Sequence, residues 1–282
     1  MHSLSVGHSS SLPPVSEDRD VISRVFRFFD RCLFGLYLCV PRGLLAWTLL
    51  KVADVNVGAT YPTVEHERAS RAIVDFFSKI PDIEAIILTG SCARGKATRD
   101  SCLDIMVLLR RKALSRKRTA LERRWSDFYE NGAVFDRLQR VGKYSHVDLD
   151  FVDGCFVPKP RGWTSGPDEF ELEIGNTLVY SVPIWMGGGY FERLKAKWLP
   201  YYGEELRKER LVTVRRFCLN NLDHVPLYPG RGLYFQAFDR LYNAFQEFLQ
   251  ALFISRRTYP IAYDKWIREQ VEEILGMPEL YR

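Results

Sequence analysis

The sequence lacks the cysteine spacings that mark a zinc-binding or disulfide-rich protein. Its six cysteines stand at positions 32, 39, 92, 102, 155 and 218, form no Cys-x-x-Cys pair and match no common zinc pattern. The first residues show no secretory signal peptide. We therefore expect free thiols in a reducing environment and predict a cytoplasmic location.

Long apolar runs and a strong net charge are also absent. The apolar stretches 32–40 and 44–50 are separated by Pro41, Arg42 and Gly43, and neither approaches the ~20 residues that span a bilayer. A buried or partner-facing helical pair is the preferred interpretation, with peripheral membrane contact as the alternative. The formal net charge is only +5, which suits a polyanionic ligand but predicts no specific DNA binding.

The first part of the chain changes from a polar tail to an amphipathic pattern. Residues 1–16, rich in Ser, His and Pro, are predicted to form a disordered tail, and 17–60 a helical extension. Thr63 is a plausible N-cap for a helix beginning at Val64. The apolar face of that helix comprises Ala69, Ala72, Ile73, Phe76, Phe77 and Ile80.

An α/β pattern follows this helix. Short apolar runs at 83–88 and 103–109 are typical of buried strands, and 144–152 alternates between apolar and polar residues. Residues 113–140 between them have a helical period. The order helix, strand, strand, helix, strand predicts an α/β domain over 61–186, built on a small mixed sheet.

The remainder is predicted to be a helical bundle domain over 187–282. Before it, Gly175-Asn176 between two apolar runs suggests a hairpin-like turn, and 187–189 is a glycine break. The strongest helical pattern runs from 233 to 255. An aromatic series at helical spacing within it is predicted to be core: Tyr234, Phe235, Phe238, Tyr242, Phe245 and Phe248.

The segment 88–109 carries the chemical signal. A buried strand ends at Gly90-Ser91, where glycine lets a phosphate approach the backbone and the serine hydroxyl can donate to it. After a second turn at Gly95 the chain returns as a strand that carries Asp104. A carboxylate beside a phosphate-binding turn is the arrangement that holds Mg²⁺ against a triphosphate.

This segment resembles the nucleotidyltransferase superfamily, which includes the kanamycin and lincosamide nucleotidyltransferases and the poly(A) polymerases. Their pattern is a hydrophobic residue, Gly-Ser, about ten residues and then two alternating aspartates on a strand. The matching residues are Gly90, Ser91, the turn 93–95 and Asp104. In that superfamily two Mg²⁺ ions sit on three carboxylates, and the resemblance implies Mg²⁺, or Mn²⁺, held by Asp104 with Asp148 or Asp150 as the later carboxylate. It also implies a nucleoside triphosphate bound by Gly90, Ser91, Arg94 and Lys265.

One position departs from the pattern. Cys102 stands where the first aspartate of the pair is expected, and a neutral thiol is a poor ligand for a hard cation. In the other register Asp104 is the first carboxylate and Met106 takes the place of the second. Two functions therefore remain open: Mg²⁺-dependent transfer of a nucleoside monophosphate to an unknown hydroxyl acceptor, or an impaired nucleotide-binding or scaffolding module. A docking role led by residues 32–52 is a third.

Several of these residues also have plainer interpretations. Asp148 and Asp150 could form the solvent face of an edge strand, and His146 a surface histidine beside it. The basic stretch 110–118 is typical of a solvated loop and helix start. Arg256 and Arg257 suit the C-terminal end of a helix dipole, although they or Lys265 could contact phosphate or nucleobase.

Overall fold

The computed structural model describes residues 58–159 and 168–281. The predicted tail over 1–16, the apolar stretches 32–40 and 44–50, and nearly all of the predicted extension 17–60 lie outside them. The described strands are β1 (Ile83–Leu88), β2 (Leu103–Leu109), β3 (Val147–Val152) and β4 (Val182–Met186). The described α-helices are α1 (Val64–Phe77), α2 (Gly90–Ala93), α3 (Arg111–Glu130), α4 (Ala133–Gln139), α5 (Glu169–Ile174), α6 (Tyr190–Trp198), α7 (Glu204–His224) and α8 (Tyr234–Arg256).

The four strands form one mixed sheet in the order β3-β2-β1-β4. Strand β1 pairs antiparallel with β2 and β4, whereas β2 pairs parallel with β3. The prediction of a small mixed sheet, followed by a helical part, is confirmed. The parallel pair has a consequence for function, because it aligns residues 103–108 of β2 with 147–152 of β3 in register.

One face of the sheet is covered by α1, α3 and α4. Ile73 and Phe77 of α1 are fully buried against alternate residues of the strands, among them Ile105 and Val107. Thr63 caps α1 as predicted, since its hydroxyl accepts the backbone N–H of His66. Alternation along a strand then sends the even-numbered residues of β2 and β3 to the opposite face.

The opposite face is covered by α5, α6 and later residues, and here one prediction is wrong. Gly175-Asn176 is not a hairpin turn, because α5 continues into a π-helical turn, Gly175–Val179. The buried apolar residues Phe170, Ile174 and Leu178 recur at helical spacing. Gly175 marks close packing instead, since a Cβ there would collide with the carbonyl oxygen of Pro260.

Helices α7 and α8 pack against each other, and the second prediction to fail lies on α8. Phe248 is buried, but the first five members of the aromatic series are exposed: Tyr234 69%, Phe235 75%, Phe238 63%, Tyr242 38% and Phe245 36%. Helical spacing identifies a common face without showing what covers it. Helix α7 contacts a different side of α8, where the Cys218 thiol donates to the Ala244 carbonyl oxygen.

Two further expectations can be compared with the described part of the chain. None of its helices combines the length and apolar character that crossing a bilayer requires. Four cysteines lie within it, and all have free thiols: Cys92, Cys102, Cys155 and Cys218.

Candidate nucleotide and metal site

The Gly90 turn lies directly against the carboxylate of Asp104. Strand β1 ends at Leu88, and α2 turns the chain back after it. Gly90 has φ +62°, and a Cβ at this position would collide with Oδ2 of Asp104. The Thr89 N–H donates to the Asp104 carbonyl oxygen at 2.9 Å, which locks the turn to β2. Glycine is required here both for its left-handed backbone and for the space that Asp104 occupies.

Strands β2 and β3 bring Asp104 and Asp148 together. The two residues are direct partners in the parallel ladder, and Cys102 precedes Asp104 by two positions on the same face. The Cys102 thiol donates to Asp104 Oδ1 at 3.2 Å. Cys102, Asp104 and Asp148 each offer one ligand atom, and these atoms all lie within 4.8 Å of one another.

Asp150 lies further along the same face. It pairs with Met106 rather than with Asp104, and it is exposed. It is not a member of the Cys102, Asp104 and Asp148 group. Of the two later carboxylates named from the sequence, Asp148 is therefore the one placed beside Asp104.

Burial and neighbouring charges shift the pKa values of Asp104 and Cys102. The pKa of Asp104 is raised, chiefly by burial and then by the negative charge of Asp148, although the Cys102 hydrogen bond, Lys265 and Arg94 act against the rise. Burial and the neighbouring Asp104 raise the pKa of the Cys102 thiol to about 12. The thiol is therefore neutral near pH 7, as a half-buried residue rather than an activated nucleophile.

Asp148 has a partner on its solvent side. His146 Nε2 lies 3.1 Å from Asp148 Oδ1, and both side chains are about half exposed. This contact places His146 at the surface, where the plainer interpretation of the sequence put it. It also gives the imidazole a position from which it can orient the Asp148 carboxylate.

Arg94 connects the Gly90 turn to the C-terminal segment. Its Nε donates to Glu269 Oε1 at 2.9 Å, and only 7% of the Arg94 side chain and 11% of the Glu269 side chain are exposed. The Arg94 guanidinium lies 4.9 Å from the ring centroid of Trp266. Within the described residues, Arg94 Nη2 and Glu269 Oε2 are buried without a hydrogen-bond partner. This pair therefore retains one free donor and one free acceptor beside the candidate site.

The loop before Trp266 is held by one buried glutamine. Gln270 Oε1 accepts the Ile261 N–H at 2.9 Å, and its Nε2 donates to the Ala262 and Lys265 carbonyl oxygens at 2.7 and 3.0 Å. The loop presents Lys265 at the surface, close enough to lower the pKa of Asp104. Trp266 has φ +59°, an unusual value for a bulky residue.

The sequence predicts a nucleotide-binding role for Lys265 but assigns no role to Trp266, Glu269 or Gln270. No local pattern marks them, because their contacts reach residues far away in the chain; Glu269, for example, is 175 positions from Arg94. The buried polar character of Gln270 becomes evident only from the fold.

The side chains at this site can be compared with the Mg²⁺ or Mn²⁺ that the resemblance implies. Asp104 and Asp148 offer facing carboxylates that fit one divalent cation. A second Mg²⁺ has less support, since Cys102 offers sulfur where a hard cation prefers oxygen. The residues therefore fit a site for a single cation better than a pair of Mg²⁺ ions.

Comparison with known families agrees with this geometry. Residues 71–147 match the family model described as polymerase beta, nucleotidyltransferase. The match contains the Gly90 turn and Asp104 and ends one residue before Asp148. It supports a nucleotidyltransferase-type fold of that superfamily for this part of the chain. A search of curated proteins found no significant match.

Proposed function

We propose that this protein transfers a nucleoside monophosphate from a nucleoside triphosphate to a hydroxyl acceptor, with release of pyrophosphate. The observation that carries the proposal is the packing of Asp104 against the Gly90 turn, with Asp148 as its partner on the parallel strand. The Gly90 turn, where a phosphate can approach the backbone closely, thus lies next to the facing carboxylates of Asp104 and Asp148. Phosphoryl-transfer sites need both features, since they work by positioning and by stabilising charge.

The proposed roles follow from position. Backbone N–H groups of the Gly90 turn and the Ser91 hydroxyl donate to phosphate oxygens. Asp104 and Asp148 hold Mg²⁺, with Mn²⁺ as the alternative ion, and Asp150 is the further carboxylate candidate. The bound ion supplies charge neutralisation of the triphosphate and activation of the attacking hydroxyl.

Two cationic side chains complete the nucleotide site in this proposal. Lys265 is exposed at the end of the loop held by Gln270 and is free to move onto a phosphate. Arg94 is already oriented by Glu269 and Trp266, and its Nη2 has no hydrogen-bond partner among residues 58–159 and 168–281, which suits an additional acceptor. In this proposal the helical residues after 187 close the acceptor side of the site. The proposed location remains the cytoplasm.

A second function is a nucleotide-binding module without transferase activity. One observation favours it: the neutral Cys102 thiol donates to Asp104 where the superfamily pattern has an aspartate. Loss of an oxygen ligand weakens the stabilisation of charge in the transition state more than it weakens binding of the triphosphate.

The test is a melting experiment with each nucleoside triphosphate and Mn²⁺. A ligand of the native state at about one hundred times its Kd stabilises that state by about 2.7 kcal/mol, so the Tm should rise. Ser91→Ala should reduce the rise, whereas Ser126→Ala, an exposed serine on α3, should not. No rise with any triphosphate would overturn both candidate functions. Release of pyrophosphate in the presence of an acceptor mixture then separates the transferase from the binding module.

A further inference from the structure

The Cys102 thiol lies between the two carboxylates that the proposed function assigns to a metal ion. It donates to Asp104 at 3.2 Å, and its sulfur lies within 4.8 Å of a carboxylate oxygen of Asp148. The sulfur is thus directed at the position that a shared cation would occupy. It is not a distant cysteine that happens to follow the motif.

The three donors are not equivalent in their choice of ion. Mg²⁺ requires near-octahedral oxygen coordination, whereas Zn²⁺ and Co²⁺ accept thiolate, imidazole and carboxylate together in smaller coordination shells. Two carboxylates alone would favour a hard ion. A sulfur that contacts Asp104 and lies within 4.8 Å of an Asp148 oxygen changes that preference.

The surrounding charges suit a thiolate ligand once a cation is bound. Three anionic donors around a divalent ion leave one excess negative charge, and Lys265 lies close enough to Asp104 to offset it. On the solvent side His146 contacts Asp148 at 3.1 Å. Such a neighbour orients a ligating carboxylate from outside the coordination shell.

We infer that Cys102, Asp104 and Asp148 bind a single thiophilic divalent cation of the zinc and cobalt class in preference to Mg²⁺. Binding replaces the thiol proton, which is released to solvent as the sulfur becomes a ligand. The inference rests on the metal position of the proposed function and replaces the Mg²⁺ assigned there by a thiophilic ion, but it requires neither nucleotide nor turnover.

The test is titration of the reduced, chelator-treated full chain with Co²⁺ alone. A thiolate ligand gives a sulfur-to-cobalt charge-transfer band in the near ultraviolet, and Zn²⁺ should abolish the band at far lower concentration than Mg²⁺. Cys102→Ser should remove the band and weaken Zn²⁺ binding by at least about tenfold, the lower end of the loss seen when a mere outer-shell partner is removed. Cys155→Ser, an exposed cysteine outside the site, should retain both properties.

Cys102→Asp is a second, independent test of the inference, because it places an oxygen donor where the sulfur stands. This variant should lack the sulfur band and bind Mn²⁺ more tightly than the parent chain. Absence of the band in the parent chain, or equal Zn²⁺ affinity in the parent and Cys102→Ser, would overturn the inference. Circular dichroism of each variant shows that it is folded. Nucleotide-dependent Tm shifts on the same samples test the proposed function separately, so that either can fail alone.

Discussion

Two regions of this molecule depart, in opposite directions, from the usual pattern of buried apolar and exposed polar side chains. Beside the Gly90 turn, polar and charged side chains are withdrawn from solvent: the Arg94–Glu269 pair is buried and Asp104 is half-buried. On the first half of α8, large aromatic side chains are exposed, with Phe235 and Phe238 mostly in solvent. Buried polar groups and exposed apolar patches are both more informative than an ordinary core or surface.

The two regions differ in how closely their residues specify the chemistry of a ligand or partner. Around Asp104, donor types, charges and distances define the chemistry of a ligand. The aromatic face of α8 offers exposed apolar area, which does not by itself specify the chemistry of a partner. A buried polar cluster thus constrains function in a way that an exposed apolar stripe does not.

The largest expected effect is on stability, and it distinguishes a buried from an exposed phenylalanine of α8. Phe253 is fully buried in the second half of the helix, whereas Phe238 is 63% exposed in the first half. Phe253→Ala should lower the free energy of unfolding by about 3–5 kcal/mol, because it leaves a cavity in the core. Phe238→Ala should change it by no more than about 0.5 kcal/mol. Urea denaturation measures both, and equal losses would show that the first half of α8 is covered in solution.

The second prediction concerns the packing of the Gly90 turn. Gly90→Ala should destabilise the fold by about 1–3 kcal/mol or more, since the residue has a positive φ and its Cβ would displace Asp104. Gly95→Ala is the matched control, because Gly95 has φ +68° but open space around its Cβ position. The excess loss at Gly90, measured by denaturation, reports the contact with Asp104. Equal losses in the two variants would mean that the carboxylate is not packed against the turn.

The smallest effect is expected at an exposed polar contact. Hydrogen bonds from Arg207 and Arg257 lower the pKa of Glu204 to about 2 from its ordinary value of 4.5. Since the folded pKa is the lower one, this stabilisation is present above pH 4.5 and is lost as the pH falls towards 2. Solvent screening limits it to about 1 kcal/mol.

Glu204→Gln should flatten that part of the dependence of stability on pH. Glu205→Gln on the same helical turn is the control, because Glu205 is exposed and, within the described part of the chain, the arginine pairs are made by Glu204 instead. Thermal melts between pH 2 and 7 would reveal the difference. An identical pH profile for the two variants would show that the Glu204 contacts contribute nothing.

Local patterns were sufficient to predict much of the fold. Strands β1 and β2 are short buried apolar runs, and Thr63 with one apolar face defines α1. The Gly-Ser turn and the spacing to Asp104 also predicted which strand ends meet. These features depend on residues near one another in the chain, where periodicity and turn chemistry are informative.

Features fixed by distant contacts were not predictable in the same way. The pair Gly175-Asn176 between two apolar runs predicts a turn. The actual reason for glycine, its close approach to Pro260, cannot be seen from neighbouring residues in the sequence. The choice between Asp148 and Asp150 depends on the register of β3 against β2, since a shift of two residues would make Asp150 the partner of Asp104. The contribution of Trp266 and Glu269 requires the C-terminal segment to return to the Gly90 turn.

The central claim is that the Gly90 turn, Asp104 and Asp148 form one site for a triphosphate and a cation. The most direct measurement is anomalous diffraction from a crystal soaked with Mn²⁺ and a non-hydrolysable nucleoside triphosphate. We predict a manganese peak between the Asp104 and Asp148 carboxylates, with phosphate density against Gly90 and Ser91. A fully bound nucleotide elsewhere on the protein, with no manganese at Asp104, would contradict the claim.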